Sequence, residues 1–477
     1  MQTKVTSYPM LSAGAWVEIG ETFDVHNPQN DELIANVPYA RKEHMLDAIE
    51  RAHQASKRKM ATHERIAVLN RVVDYMKAHA EEFAETIAME GSKTIKEARG
   101  EVKRATQTIQ ISAEEARRLK GETINFDQNE GSESRVGYYS RFPIGVVGAI
   151  TPFNDPLNLV AHKIGPAIAS GNAIVVKPAS VTPLSALMLA RAFVEAGLPE
   201  GYLSVITGSG KEVGEALIAH PLVSMVSFTG GPEAGQKIQQ SAGTKKVSME
   251  LGSNSPVIVL GDADLQEAVS SCVSGAFSAV GQNCIGVQRI YVERTVYADF
   301  LDAFVEETAE LRVGDKMDER TDIGPMIQEK EAIRVEKWVQ EALDEGAKLE
   351  IGGQRVGSYY YPTVLTQVPA HSKIAKEEIF GPVVMVEPVE HLEEAIEKSN
   401  AVDYGLHAGI FTSNIDHAFY AVEHMNVGGI MINDSSDYRI DEMPFGGTKG
   451  SGIGREGVRH SMEAMTEQRV VCIKLKR

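Results

Sequence analysis

One cysteine in this chain stands in company that could do covalent chemistry. Cys284 follows Gly281-Gln282-Asn283, between a predicted helix over 262–280 and an apolar predicted strand over 288–292. As a thiolate, cysteine is the strongest side-chain nucleophile available near neutral pH, and a glycine at a helix-to-strand junction lets it face a cleft. Alone, such a cysteine is more often a buried hydrophobe. Its neighbours in chemistry lie on other segments: Met249-Glu250-Leu251-Gly252, Thr151-Pro152-Phe153-Asn154, and Glu377-Glu378-Ile379-Phe380-Gly381-Pro382. A nucleophile, a possible base, an amide donor and a second carboxylate thus recur on separate loops.

The elements that must position these loops follow from apolar periodicity. Residues 1–40 read as loops and short strands. From 42 to 120 the pattern is helical, with Ile66, Leu69, Val73 and Met76 on one face. Residues 121–143 are polar and strand-like, an arm between two regular regions. Apolar runs at 144–150, 173–176, 203–206, 225–228 and 247–249 then alternate with helices at 183–196, 211–219 and 232–242. Short buried strands alternating with helices indicate a parallel, doubly wound sheet. A second such region starts at 256–260 and continues through strands 289–292, 383–386 and 430–433 and helices 296–311 and 330–345. The segment 469–475 reads as a strand able to pair with the arm.

At 477 residues the chain exceeds one ordinary core. Its net charge of −18 argues against nucleic acid or an anionic membrane as partner. Cys272, Cys284 and Cys472 are odd in number and far apart, so neither a disulfide framework nor a metal site is expected. No signal segment opens the chain and no apolar run approaches membrane-spanning length. The expected location is cytoplasmic.

The dinucleotide fingerprint G-x-G-x-x-G is absent. Gly208-Ser209-Gly210 and Phe228-Thr229-Gly230-Gly231 each follow an apolar strand and open a helix, where free N–H groups favour a phosphate. Either could equally be a plain turn. Lys177 ends a strand before Pro178 and could bond ribose hydroxyls. All three features lie at carboxyl ends of strands, where sheet ligands bind.

Together with Lys177-Pro178-Ala179-Ser180, Pro444-Phe445-Gly446-Gly447 and Lys449-Gly450-Ser451-Gly452, these motifs resemble the aldehyde dehydrogenase superfamily from about residue 10 to the end. The resemblance implies an α/β fold of two doubly wound Rossmann-like domains and a small β bridging domain. The expected division is 1–122 with 144–252 for the NAD(P) domain, 253–455 for the catalytic domain, and 123–143 with 456–477 for an oligomerisation arm. It implies a homodimer or homotetramer, a small-molecule aldehyde substrate and NAD or NADP as cofactor. It further implies Cys284 as nucleophile, Asn154 and the Cys284 N–H as oxyanion donors, and Glu250 as the base that hydrolyses the thioester. Cofactor contacts are implied for Thr151, Pro152, Phe153, Lys177, Ser180, Gly210, Phe228, Thr229, Gly230, Gly231, Leu251, Glu378 and Phe380. Two departures bear on the cofactor. Ser180 stands where NAD-selective relatives commonly carry a ribose-binding glutamate, so NADP becomes acceptable. Gly231 stands where serine is common.

Arg104, His162, Ile285 and Arg439 are the substrate-side candidates. Arginines at similar places in relatives hold anionic aldehydes, and the pattern is nearest the lactaldehyde, phosphonoacetaldehyde, sulfolactaldehyde and non-phosphorylating glyceraldehyde-3-phosphate dehydrogenases. Asn283 replaces an arginine found in some of them. Either arginine could instead form an ordinary salt bridge. Rival readings are a succinate-semialdehyde dehydrogenase, a coenzyme A-acylating dehydrogenase, and a non-catalytic binding protein of the same fold.

Overall fold

Strands Val146–Ile150, Ala173–Lys177 and Met225–Thr229 are buried on almost every residue, which is why they read as unbroken apolar runs and not as alternating patterns. The structure, a computed structural model, describes residues 6–476. An eight-stranded sheet runs in the order Gly452–Ile453, Lys246–Glu250, Met225–Thr229, Val146–Ile150, Ala173–Lys177, Leu203–Val205, Met10–Ser12, Ala15–Val17. The five inner strands are parallel, and the outer ones add on antiparallel. Chain direction across the sheet reverses between Val146–Ile150 and Met225–Thr229, so a crevice opens beyond their carboxyl ends.

The second sheet has seven strands, ordered Lys348–Ile351, Thr363–Thr366, Val383–Val389, Val287–Glu293, Ser255–Val259, His407–Phe411, Gly429–Ile432. All its pairings are parallel except the first. Each sheet has its own apolar core. Helices Lys42–Ser56, Thr62–Ala78, Ala80–Glu90 and Ile95–Glu115 cover the first, with Ile66, Leu69, Val73 and Met76 buried as their spacing predicts.

Strand Thr466–Lys474 pairs antiparallel with Arg135–Pro143, whose other edge takes Glu122–Ile124. Val136, Tyr138, Val470 and Ile473 stand exposed on this small sheet. Helix Val458–Ala464 does not belong to it: Val458, Met462 and Met465 pack in the first core. Gly452–Ile453 likewise joins the first sheet, so the chain after 450 returns to that layer before entering the arm. Neither return has a local sequence signal. Among the described residues no helix is long and apolar enough to cross a membrane.

Candidate active site

Asp264 caps helix Leu265–Phe277 by accepting from the N–H groups of Gln266 and Glu267 at 3.1 and 3.2 Å. The helix stops three residues before the expected 280. Ala279, Val280 and Gly281 lie in the left-handed region with φ of 51°, 53° and 68°, which turns the chain back toward the cleft. At Gly281 a Cβ would sit 2.3 Å from the Gly381 carbonyl oxygen, so the two loops meet backbone to backbone. Gln282 is buried, and its Oε1 accepts from the Ile327 N–H at 2.9 Å. The Ser436 hydroxyl donates to the Ile285 carbonyl at 2.7 Å. Cys284 ends up half-buried against Ile285, Leu406 and Phe445. Burial, with Glu378 nearby, pushes its thiol up to about 12, while Arg439 pulls the other way.

A cleft of about 470 Å³ lies between the two sheets, and Cys284, Glu250 and Asn154 all line it. First-sheet contributions, Ile150–Asn154 and Phe228–Gly231, extend from the carboxyl ends of strands. Second-sheet contributions, Cys284, Glu378 and Phe380, come just before the amino ends of theirs. Glu250 ends strand Lys246–Glu250 at 2% exposure, and neither carboxylate oxygen has a hydrogen-bond partner. Burial lifts this carboxyl to about 8, against the pull of Lys163 and Arg439. Lys163 itself donates to the Thr229 hydroxyl at 2.9 Å and pairs with buried Glu456.

The lining fits a dinucleotide. Glu378 accepts from the Ser253 N–H at 2.8 Å, and its carboxylate would meet a Cβ at Gly252 at 2.3 Å. Burial raises it to about 7. Phe153 and Phe380 meet edge to face with centroids 5.8 Å apart. The buried Thr151 hydroxyl has no partner. Pro152 and Leu251 also line the cleft. Thr229-Gly230-Gly231 leads into helix Pro232–Ala242, whose N–H groups face outward from a strand end. Lys177 is buried, with Nζ donating to the Pro178 carbonyl at 2.7 Å and reaching the Ser180 hydroxyl at 3.5 Å. Burial lowers its ammonium to about 8. Ser180 donates to the Gly208 carbonyl at 3.0 Å and lines a separate cavity of about 430 Å³, not the cysteine's cleft. Gly210 follows Ser209, whose hydroxyl caps the next turn.

On the substrate side Arg104 is an ion-pair residue, 3.3 Å from Asp441 and 3.7 Å from Asp155. Asp441 also accepts from Asn158 at 3.1 Å and lies 2.8 Å from His162 Nε2. Burial lowers fully buried His162 to about 4, so it is a neutral ring held by Asp441. Arg439 differs. Its guanidinium carbon sits 3.7 Å from the Phe445 ring centroid, its Nε has no partner, and among the described residues it has no carboxylate within 4.0 Å. Sequence reasoning missed Glu331 and Arg334, which line the cleft from helix Glu329–Asp344. Arg334 donates to the Ile379 carbonyl at 2.8 Å and stacks over Trp338. It also missed Asp441. No motif marks any of the three.

A thiol, a buried carboxylate and an amide thus share one cleft with glycine-rich turns at strand ends, an arrangement compatible with a nicotinamide-dependent oxidoreductase. The aldehyde dehydrogenase family model matches residues 16–471. The chain belongs to the aldehyde dehydrogenase family and oxidises aldehydes with NAD or NADP. It is 47% identical to the 3-sulfolactaldehyde dehydrogenase of Priestia aryabhattai, covering 99% of each chain. Aldehyde dehydrogenase 21 from Physcomitrella patens, solved with the reaction product succinate, superposes with a TM-score of 0.97 at 41% identity, covering 99% of both chains. The NADP-dependent glyceraldehyde-3-phosphate dehydrogenase of Bacillus halodurans, solved with NADP, gives a TM-score of 0.96 at 39% identity, covering 99% of this chain and 100% of that one.

Proposed function

We propose that the protein oxidises a short aldehyde with an anionic or hydroxylated end to the carboxylic acid. The observation that carries this reading is the meeting of Cys284, Asn154 and an unpartnered, buried Glu250 in one cleft. The Cys284 Sγ attacks the aldehyde carbon and its proton passes to a base, since a thiol near 12 is protonated at neutral pH. Glu250, unpartnered in the same cleft, is the base we assign to that proton. The Asn154 side-chain amide and the Cys284 N–H hold the oxyanion of the thiohemiacetal. The chemistry supplied by a bound nicotinamide dinucleotide is acceptance of a hydride from that carbon, which leaves a thioester on Cys284. After releasing the thiol proton to solvent, Glu250 takes a proton from the water that hydrolyses the thioester, and the acid leaves as Cys284 regains its thiol.

Glu378 and Phe380 would hold the nicotinamide ribose and flank its ring, the turns at Gly210 and at Thr229–Gly231 the pyrophosphate, and Lys177 with Ser180 the adenosine ribose. Ser180 brings no negative charge to the 2′ position, so both NAD and NADP serve. The relatives' names, one carrying 3-sulfolactaldehyde and another succinate, support a small anionic substrate. Arg439 is the anchor we assign to its anion. We further propose the two-domain division with a bridging arm, the arm's C-terminal strand starting at Thr466, and a homodimer or homotetramer. The exposed Val136, Tyr138 and Val470 of the arm and Ile415, Phe419 and Val422 of helix Ile415–His424 support assembly. The free cysteines fit a cytoplasmic location.

Single-turnover kinetics test the mechanism. Cys284→Ala should retain cofactor binding and lose all dehydrogenation. Glu250→Gln should release one equivalent of reduced cofactor and stall at the thioester. Turnover by the first variant, or absence of any acyl-enzyme in the second, would overturn these roles. Free acid as product in the presence of coenzyme A separates this reading from an acylating one.

A further inference from the structure

Three side chains of helix Ile95–Glu115, four and three residues apart, reach three different loops of the site. Glu97 Oε1 accepts from the Ala279 N–H at 2.6 Å, five residues before Cys284. Its Oε2 accepts from the Thr94 N–H at 2.8 Å and from the Thr94 hydroxyl at 3.0 Å, closing the helix's own capping box. Glu101 Oε1 accepts from the N–H groups of Leu157 and Asn158 at 2.8 and 3.0 Å, directly after the Asn154 loop, and its Oε2 takes Lys93 Nζ at 2.7 Å. Arg104 reaches Asp441, two residues after Arg439. Spacing of i, i+4 and i+7 sets all three on one stripe of the helix.

We infer that this helix is a rail fixing the relative positions of the thiol, the oxyanion amide and the substrate arginine, and that Glu97 is a positioning residue for Cys284. The need for such a hold is visible in the backbone. Ala279 and Val280 occupy left-handed conformations, with φ of 51° and 53°, that a β-branched residue adopts only where its surroundings over-determine it. Glu97 grips the first of the two. Ser436 and Gln282 hold the loop further along, so its start depends on the helix. A displacement of about 1 Å at a nucleophile can cost about a hundredfold in rate, because attack needs a narrow approach geometry. This inference rests on Cys284 being the nucleophile.

The test compares Glu97→Ala, Glu97→Asp, Glu97→Gln and Arg99→Ala with the unmodified enzyme and Cys284→Ala. Glu97→Ala should lower kcat about tenfold or more, with the KM for aldehyde and the Kd for NADP, read by fluorescence, little changed. Glu97→Asp keeps the charge and the cap but withdraws the oxygen from Ala279, so it should lose kcat similarly while remaining folded. Glu97→Gln keeps an acceptor for the Ala279 N–H and should stay close to the unmodified rate. Arg99→Ala, on the same helix as Glu97, breaks pairs to Glu81 and Glu319 and should lower the melting temperature without lowering kcat. An unchanged kcat in Glu97→Asp, or a loss of kcat in Glu97→Gln or Arg99→Ala as large as that in Glu97→Ala, would overturn the inference. Activity retained in Cys284→Ala would instead overturn the proposed function beneath it.

Discussion

Replacing Arg439 by alanine removes a guanidinium that rests on Phe445 and, among the described residues, has no carboxylate within 4.0 Å. Its Nη2 reaches the His162 ring at 3.5 Å and its Nε is unpartnered, so most of its donors are available to a substrate anion. A hydrogen bond to a charged group contributes about 1.5–3 kcal/mol net, so the loss in kcat/KM on an anionic aldehyde should be about tenfold to a hundredfold. Arg104 already shares its charge with Asp441 at 3.3 Å and Asp155 at 3.7 Å. Arg104→Ala should cost less, under about tenfold, as expected for a partly exposed, compensated pair. Arg439 also favours the Cys284 thiolate by its charge, an effect common to every aldehyde. The informative quantity is therefore the ratio of losses on charged and neutral substrates. The assay follows the reduced-nicotinamide absorbance with glyceraldehyde 3-phosphate, succinate semialdehyde, lactaldehyde and propanal. Equal losses on anionic aldehydes and propanal would show that Arg439 is structural and remove the anion from the substrate assignment. A larger selective loss in Arg104→Ala would transfer the anchor to that residue.

Turnover limited by thioester hydrolysis should rise with pH, reach half its maximum near 8 and level off above that. Glu250 must be deprotonated to act, and burial holds its proton up to about 8 instead of the usual carboxylate range; a plateau already reached at pH 6 would contradict this. Ser180→Glu should shift preference from NADP toward NAD, because a carboxylate would face the 2′-phosphate. An unchanged NADP to NAD ratio of kcat/KM would mean that another residue closes that position. Asp441→Asn should release Arg104 and His162 together and raise KM for anionic aldehydes, and an unchanged KM would show that the Asp441 cluster does not reach the substrate.

What could be read in the sequence was what is local. Strands buried on both faces announce themselves as short apolar runs, and Asn154, Glu250, Cys284 and Glu378 each sit in a short segment whose chemistry is self-contained. What could not be read was pairing across the chain. Glu97 meets Ala279 at a separation of 182 residues, and Arg104 meets Asp441 at 337. Arg104 therefore looked as free as Arg439, although only one of them is without a carboxylate. The apolar spacing carries the helix over 262–280 three residues past its end at Phe277 because Ala279 and Val280 have no breaker signal; their left-handed backbone is imposed by tertiary contacts. Gly452–Ile453 and the helix Val458–Ala464 returned to the first layer for the same reason, while their sequence continues without interruption from the catalytic segment.

The backbone contact between Gly281 and Gly381 limits how this pocket can be remodelled. Any side chain at 281 would drive the cysteine loop away from the loop carrying Phe380, so neither loop can be moved or enlarged without disturbing the other. New substrates must therefore be accommodated from the opposite wall. Tyr438 is half exposed and Ile440 is also open to solvent, so these two side chains can change at little cost to packing, whereas Arg439 and Asp441 between and beside them cannot. A library aimed at longer or uncharged aldehydes should place its diversity at 438 and 440 and leave 281–284 and 378–382 untouched. Diversity placed at 281 should yield mostly enzymes that fold around a misaligned thiol.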